Sequence, residues 1–176
     1  MSEITSPDVE DAYNPQWQEY NSIFDFTVKD LDGNPVSLEK FRGKVCLVVN
    51  VATYCGFAYM NHKILNELHE RFKDQQFEIL AFPCNQWAQE PACEVDLKEY
   101  VKKKGIKYQV FGKINVNGKN TIPLYRFLKS KQGGILGNAI KWNYTKFLTD
   151  RGGQPVDRYS PTTGTNVIAK DIEDLL

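Results

Sequence analysis

Long apolar runs are missing from this sequence. The most hydrophobic stretch, Val45–Val49, is broken by Asn50, so nothing in it reads as a bilayer-spanning helix. An excess of one charge is missing too: 22 basic and 22 acidic side chains cancel, which argues against a general nucleic-acid binder. Cysteine is sparse. The 4 residues, Cys46, Cys55, Cys84 and Cys93, contain no C-x-x-C pair, and the 2 histidines, His62 and His69, show no zinc spacing toward them. No glycine-rich phosphate cradle appears, and no metal, flavin or nucleotide cofactor is expected. The first residues, Met-Ser-Glu-Ile-Thr-Ser-Pro-Asp, are acidic and carry neither an apolar h-region nor an Arg-rich transit pattern. The cytoplasm is therefore the expected location. A disulfide framework is not expected there, and each cysteine reads as a core filler or a reactive thiol.

What is present is an ordinary globular composition, 41% hydrophobic and 25% charged over 176 residues, enough for one domain with a full core. Residues 1–16, polar and holding Pro7 and Pro15, read as a loose arm; residues 17–176 read as the domain. Charge is unevenly spread. Residues 1–40 carry nine acids against two bases, and residues 119–158 carry eight bases against two acids. The basic stretch is either a solvated face or a surface for an anionic partner.

Along the chain, Ile23–Val28 alternates, Asp32-Gly33 makes a turn, and Pro35–Ser37 follows, which predicts an N-terminal β-hairpin. Val45–Val51 reads as a strand buried on both faces, followed by a helix carrying Ile64, Leu65, Leu68 and Phe72. Phe77–Phe82 is a second buried strand. Leu97, Tyr100 and Val101 mark a helix that ends at Gly105. Tyr108–Phe111 is a weak strand, and Pro123 opens a further helix. Asp150–Gly153 joins two strands, and Ile168, Ile172 and Leu175 mark a last helix. Alternating β and α units closed by a hairpin predict an α/β fold of thioredoxin-like order, a central mixed sheet flanked by helices.

Three segments carry chemistry. Val49-Asn-Val-Ala-Thr-Tyr-Cys55-Gly56 is a buried strand emptying into a helix, and a cysteine there meets free N–H groups that favour its thiolate. Gly56 allows close approach or a tight turn. Phe82-Pro-Cys84-Asn-Gln86 lies at the carboxyl end of the next strand, where sites of open α/β sheets gather. Cys84 reads as a small buried hydrophobe or a thiol, and Gln86 as a loop amide or a donor to a thiolate. Lys141-Trp142-Asn143-Tyr144 offers an indole N–H and an amide, or else a core Trp and a turn Asn.

Together these segments resemble the glutathione peroxidase family. There a Cys or selenocysteine within VNVAS-x-[CU]-G, the Gln of FPCNQF, and the Trp and Asn of KWNF form the reactive tetrad. The matching positions are Cys55, Gln86, Trp142 and Asn143. The resemblance runs from Ser22 to the C-terminus and includes Phe41-Arg-Gly-Lys44 and Asp157-Arg-Tyr-Ser-Pro-Thr-Thr163. Thr53 stands for Ser, Ala58 for Thr, Trp87 for Phe and Tyr144 for Phe, and the stretch between Gln86 and Gln89 is shorter by one residue.

The resemblance implies that the Cys55 thiolate attacks a peroxide and becomes a sulfenic acid (a selenenic acid where the natural residue is selenocysteine). Gln86, Trp142 and Asn143 supply neutral donors. Glutathione is the implied reductant, as a co-substrate. The resolving cysteine of thioredoxin-using members falls on Lys102 here, while Cys93 lies earlier on the same helix. Thioredoxin acting through Cys93 or Cys84 is the alternative. The short segment before Lys141, with Ile135-Leu-Gly-Asn-Ala-Ile-Lys-Trp-Asn143, resembles the phospholipid hydroperoxide subgroup, which implies a monomer with an exposed site for lipid hydroperoxides and transient membrane-surface contact. Lys141 and Arg158 are the candidate contacts to headgroups or glutathione carboxylates, and Phe57 stands where that subgroup can carry Lys. A peroxiredoxin needs a proline shortly before its nucleophile, and residues 36–82 hold none; a disulfide reductase needs a second cysteine where Ala58 stands. A redox sensor relaying oxidation to partner proteins would use the same Cys55.

Overall fold

The computed structural model describes residues 15–91 and 93–176. In chain order they form β1 (Thr27–Lys29), β2 (Pro35–Ser37), β3 (Val45–Val51), α1 (Ala58–Phe72), β4 (Phe77–Pro83), α2 (Glu94–Lys103), β5 (Gln109–Val110), α3 (Pro123–Lys131), β6 (Lys146–Thr149), β7 (Pro155–Tyr159) and α4 (Thr165–Leu175). The predicted arm lies outside the described residues except for Pro15 and Gln16, which open a 3-10 turn, Pro15–Glu19. Trp17 and Tyr20 pack against the core, so the fold takes hold there.

β1 and β2 pair as the antiparallel hairpin, and the remaining strands form a five-stranded sheet in the order β5-β4-β3-β6-β7. β3, β4 and β5 run parallel; β6 and β7 run antiparallel to their neighbours. The sheet is mixed, as the sequence predicts. Every residue of β3 is buried, which explains its near-continuous apolar run. Its alternate side chains divide the core. Val45, Leu47, Val49 and Val51 face Leu65, Leu68 and Phe72 of α1 and Ile168 and Ile172 of α4. Cys46 and Val48 face Phe24, Phe26 and Leu38 and the α3 residues Leu124, Phe127 and Leu128. Cutting one of these side chains back to alanine, Leu47 for example, costs about 2–5 kcal/mol.

The predicted strand over Ile23–Val28 forms only at its end. Ser22 caps a 3-10 turn over Ile23–Asp25: its hydroxyl accepts the Phe24 N–H at 3.0 Å, and the Asp25 carboxylate accepts the Ser22 N–H at 3.0 Å. That capping box bends the chain before the alternating pattern can extend it. The turn is docked on the β6–β7 loop, where the carbonyl of Gly153 (φ 76°) accepts the Ile23 N–H at 3.1 Å. A side chain at Gly153 would also collide with Ser22 and Phe24.

Register places the chemistry. Asn50 and Val51 lie beside Phe82 and Pro83, and Val49 lies beside Lys146. β3 and β4 end, and antiparallel β6 begins, at the same sheet edge. All three motif segments therefore leave the sheet together.

Candidate active site

Cys55 sits in the turn between β3 and α1, 6% exposed. Its carbonyl accepts the Ala58 N–H at 2.9 Å as α1 begins. The thiol thus stands at the positive end of a 15-residue helix. Gly56 has neither a positive φ nor a close neighbour: a Cβ there would meet nothing within 4 Å. The tight turn expected at Gly56 is present without a positive φ, closed by the Ala58 N–H on the Cys55 carbonyl, and the missing side chain leaves open space there.

Gln86 is exposed, yet its amide is fixed at both ends. Oε1 accepts the backbone N–H of Val116 at 2.7 Å and of Asn117 at 2.9 Å, while Nε2 donates to the Asn117 carbonyl at 2.8 Å. One Nε2 hydrogen remains. Asn143 is fully buried and its Nδ2 donates to Gln89 Oε1 at 2.9 Å, which likewise leaves one N–H. Its Oδ1 has no partner among the described residues. Trp142 is half-buried, packs against the apolar cluster that holds Cys55, and lies 5.9 Å from the Trp87 ring.

The sequence reading missed the residues that tie these segments together. The Glu90 carboxylate, 1% exposed, accepts both the backbone N–H and the hydroxyl of Thr53 at 2.6 Å. Burial raises the Glu90 carboxyl above its ordinary value, and the Thr53 donors pull it back. Gln89 accepts the Tyr54 N–H on its carbonyl at 2.9 Å while its side chain holds Asn143. One dipeptide thus joins the cysteine turn to the Trp-Asn segment. Asn50 donates to the Trp142 carbonyl at 3.2 Å. Tyr144 has a left-handed backbone (φ 64°) and clamps the end of β3, its N–H on the Asn50 carbonyl at 2.6 Å and its hydroxyl on that of Ala52 at 2.9 Å. A legible signal existed for Glu90: a lone acid in Gln-Glu-Pro, between a buried strand and a helix.

The cysteines are all free and differ in setting. Burial pushes the Cys46 thiol up to about 12 and raises that of Cys84. Cys93 is exposed at the start of α2, where its thiol donates to the Asp96 carboxylate at 3.2 Å. Lys102 lies near the other end of that helix, roughly 13 Å away along the axis. Lys141 is exposed and donates to the Leu136 carbonyl at 3.2 Å. Arg158 is half-buried: its guanidinium donates to the carbonyls of Gln132, Asn138 and Ala139 at 3.3, 3.0 and 2.8 Å. It holds the loop before Lys141.

The fold is that of thioredoxin-like proteins. A thiol:disulfide interchange protein of the thioredoxin family from Chlorobium tepidum superposes with a TM-score of 0.65 over 85% of this chain and 92% of that one, at 18% identity. A crystal structure of GPX1 from T. cruzi gives 0.74 over 88% and 96%, at 37% identity. The family model for glutathione peroxidase matches residues 23–129. A glutathione peroxidase from Schistosoma mansoni is 54% identical over 159 residues, covering 89% of this chain and 94% of its own. A probable phospholipid hydroperoxide glutathione peroxidase from Helianthus annuus is 53% identical over 153 residues, 86% and 85% of the two chains. The chain belongs to the glutathione peroxidase family and resembles its phospholipid hydroperoxide subgroup; it is a peroxide-reducing oxidoreductase.

Proposed function

We propose that this enzyme reduces hydrogen peroxide and organic hydroperoxides, phospholipid hydroperoxides among them, with glutathione as electron donor. The Cys55 thiolate attacks the distal peroxide oxygen, the O–O bond breaks, and the alkoxide or hydroxide leaves as alcohol or water after protonation. Cys55 is then a sulfenic acid. One glutathione thiolate displaces its oxygen as water and forms a mixed disulfide. A second attacks that disulfide, returning the Cys55 thiol and releasing oxidised glutathione.

The observation that carries this reading is the pair of immobilised amides at the sheet edge that presents Cys55. Gln86 and Asn143 each spend one N–H on the protein and keep one. Together with the Trp142 indole they supply uncharged donors for the thiolate and for the leaving oxygen, each worth about 10²–10³ in rate if aimed at developing charge. Lipid hydroperoxides are supported by the exposed large side chains that flank Cys55 along the chain, Tyr54, Phe57, Tyr59 and Met60. A second reading rests on Cys93, an accessible thiol at the start of α2, which would resolve the sulfenic acid as a disulfide recycled by thioredoxin.

Steady-state consumption of hydrogen peroxide and of a phospholipid hydroperoxide, each with glutathione and with thioredoxin, separates these. Sustained turnover with glutathione supports the first reading. Turnover with thioredoxin alone replaces it with the second, and a halt after one equivalent of peroxide with either donor marks a sensor.

A further inference from the structure

Gln86 and the Trp142-Asn143 segment follow and precede strands on opposite sides of β3, and one residue, Asn117, pairs with the Gln86 amide and with the backbone just before that segment. The backbone of Asn117 forms a two-point pair with the Gln86 amide: its N–H donates to Oε1 at 2.9 Å, and its carbonyl accepts from Nε2 at 2.8 Å. The side chain of Asn117 forms a second two-point pair with the backbone of Ile140. Its Nδ2 donates to the Ile140 carbonyl at 2.7 Å, and its Oδ1 accepts the Ile140 N–H at 2.9 Å. Ile140 is buried and stands just before Lys141-Trp142-Asn143. Lys129 braces the joint from α3, its ammonium on the Val116 carbonyl at 2.5 Å and on Asn117 Oδ1 at 3.3 Å.

We infer that Asn117 is a positioning residue for the peroxide reaction: it locks the Gln86 amide and the approach to Trp142 into one rigid unit. The chemistry of the residue fits the task. A side-chain amide both donates and accepts, so it can pair with a backbone peptide at two points, which aspartate and alanine cannot. The restraint matters most for Gln86, an exposed side chain with several rotatable bonds. Its free N–H is useful only in one orientation, because small misplacement of a donor erodes the rate steeply. Asn117 does this without touching a reactant, through two neighbours that do.

The inference rests on the proposed roles of Gln86 and Trp142, and its test keeps the two apart. The second-order rate of Cys55 oxidation by hydrogen peroxide is read by rapid mixing for the parent, Asn117→Ala, Asn117→Asp and the double variant Gln86→Ala/Trp142→Phe with and without Asn117→Ala, alongside thermal unfolding. Asn117→Ala is expected to fold and to lose about 10- to 100-fold in rate. Asn117→Asp, which keeps the acceptor toward Ile140 and Lys129, is expected to recover part of that loss. In the double-variant background Asn117→Ala is expected to cost under about 3-fold, because groups acting as a unit are not additive. Should Asn117→Ala not fold, the parent-to-Asp comparison in the two backgrounds carries the test with the same signs. A folded Asn117→Ala within about 2-fold of the parent overturns the inference (or Asn117→Asp within that limit where only it folds), as does an undiminished loss in the double-variant background. If Gln86→Ala and Trp142→Phe leave the rate at the parent value, the site reading itself fails, and the Asn117 role with it.

Discussion

The Glu90 carboxylate takes two hydrogens from one residue, the backbone N–H and the hydroxyl of Thr53, both at 2.6 Å. Through this contact the loop after β4 holds the turn that carries Cys55. Glu90→Ala leaves the Thr53 N–H without an acceptor, which costs about 1–3 kcal/mol. Urea unfolding is expected to show a loss of that size, and Cys55 oxidation by peroxide to slow. Thr53→Ser keeps both donors and is expected to change little.

Tyr144 holds the other side of the same turn. Its hydroxyl donates to the buried Ala52 carbonyl at 2.9 Å. Tyr144→Phe preserves the packing and orphans that carbonyl, so a loss of about 1 kcal/mol in unfolding free energy is expected, with the fold intact. A stability equal to the parent's would show that the hydrogen bond contributes nothing.

His62 supplies the pH dependence. Its ring bridges two hydroxyls, Nε2 to Tyr100 at 2.7 Å and Nδ1 to Tyr108 at 3.0 Å, and burial, helped by the Lys104 charge, lowers its pKa to about 4. The folded protein therefore keeps His62 neutral where the unfolded chain protonates it. Its contribution is fully present above about pH 6.5 and is lost as pH falls through about 4. Unfolding between these limits is expected to take up about one proton more in the parent than in His62→Phe. Denaturant titrations of both across that window check it.

Cys93 and Cys55 separate by reductant. Cys55→Ser is expected to abolish turnover with every donor. Cys93→Ser is expected to leave the glutathione reaction within about 2-fold of the parent, since a surface substitution away from the site changes little. Loss of the glutathione reaction in the Cys93 variant would move resolution to that thiol.

Much of this was legible locally. The runs Val45–Val51 and Phe77–Phe82 declare a doubly covered sheet, and the cysteine motif directly follows the first. The ties across the site were not legible, because each partner is an ordinary loop residue and lies far off in sequence: Glu90 from Thr53, Gln89 from Asn143, Asn117 from Gln86 and Ile140. Arg158 reads as a surface cation in sequence. Its role emerges only once the loop folds back and presents three carbonyls. At Ile23 the alternation outweighed a signal that was there to be read, Ser22-Ile-Phe-Asp25, a capping box written in the sequence.

The most direct test of the account is the site of first oxidation. The reduced enzyme is mixed with one equivalent of hydrogen peroxide in the presence of a sulfenic-acid trap such as dimedone, and the four cysteine peptides are weighed by mass spectrometry. The account predicts the adduct on Cys55, with its yield cut sharply in Gln86→Ala. An adduct formed first on Cys93 or Cys84, with Cys55 still reduced, would contradict it.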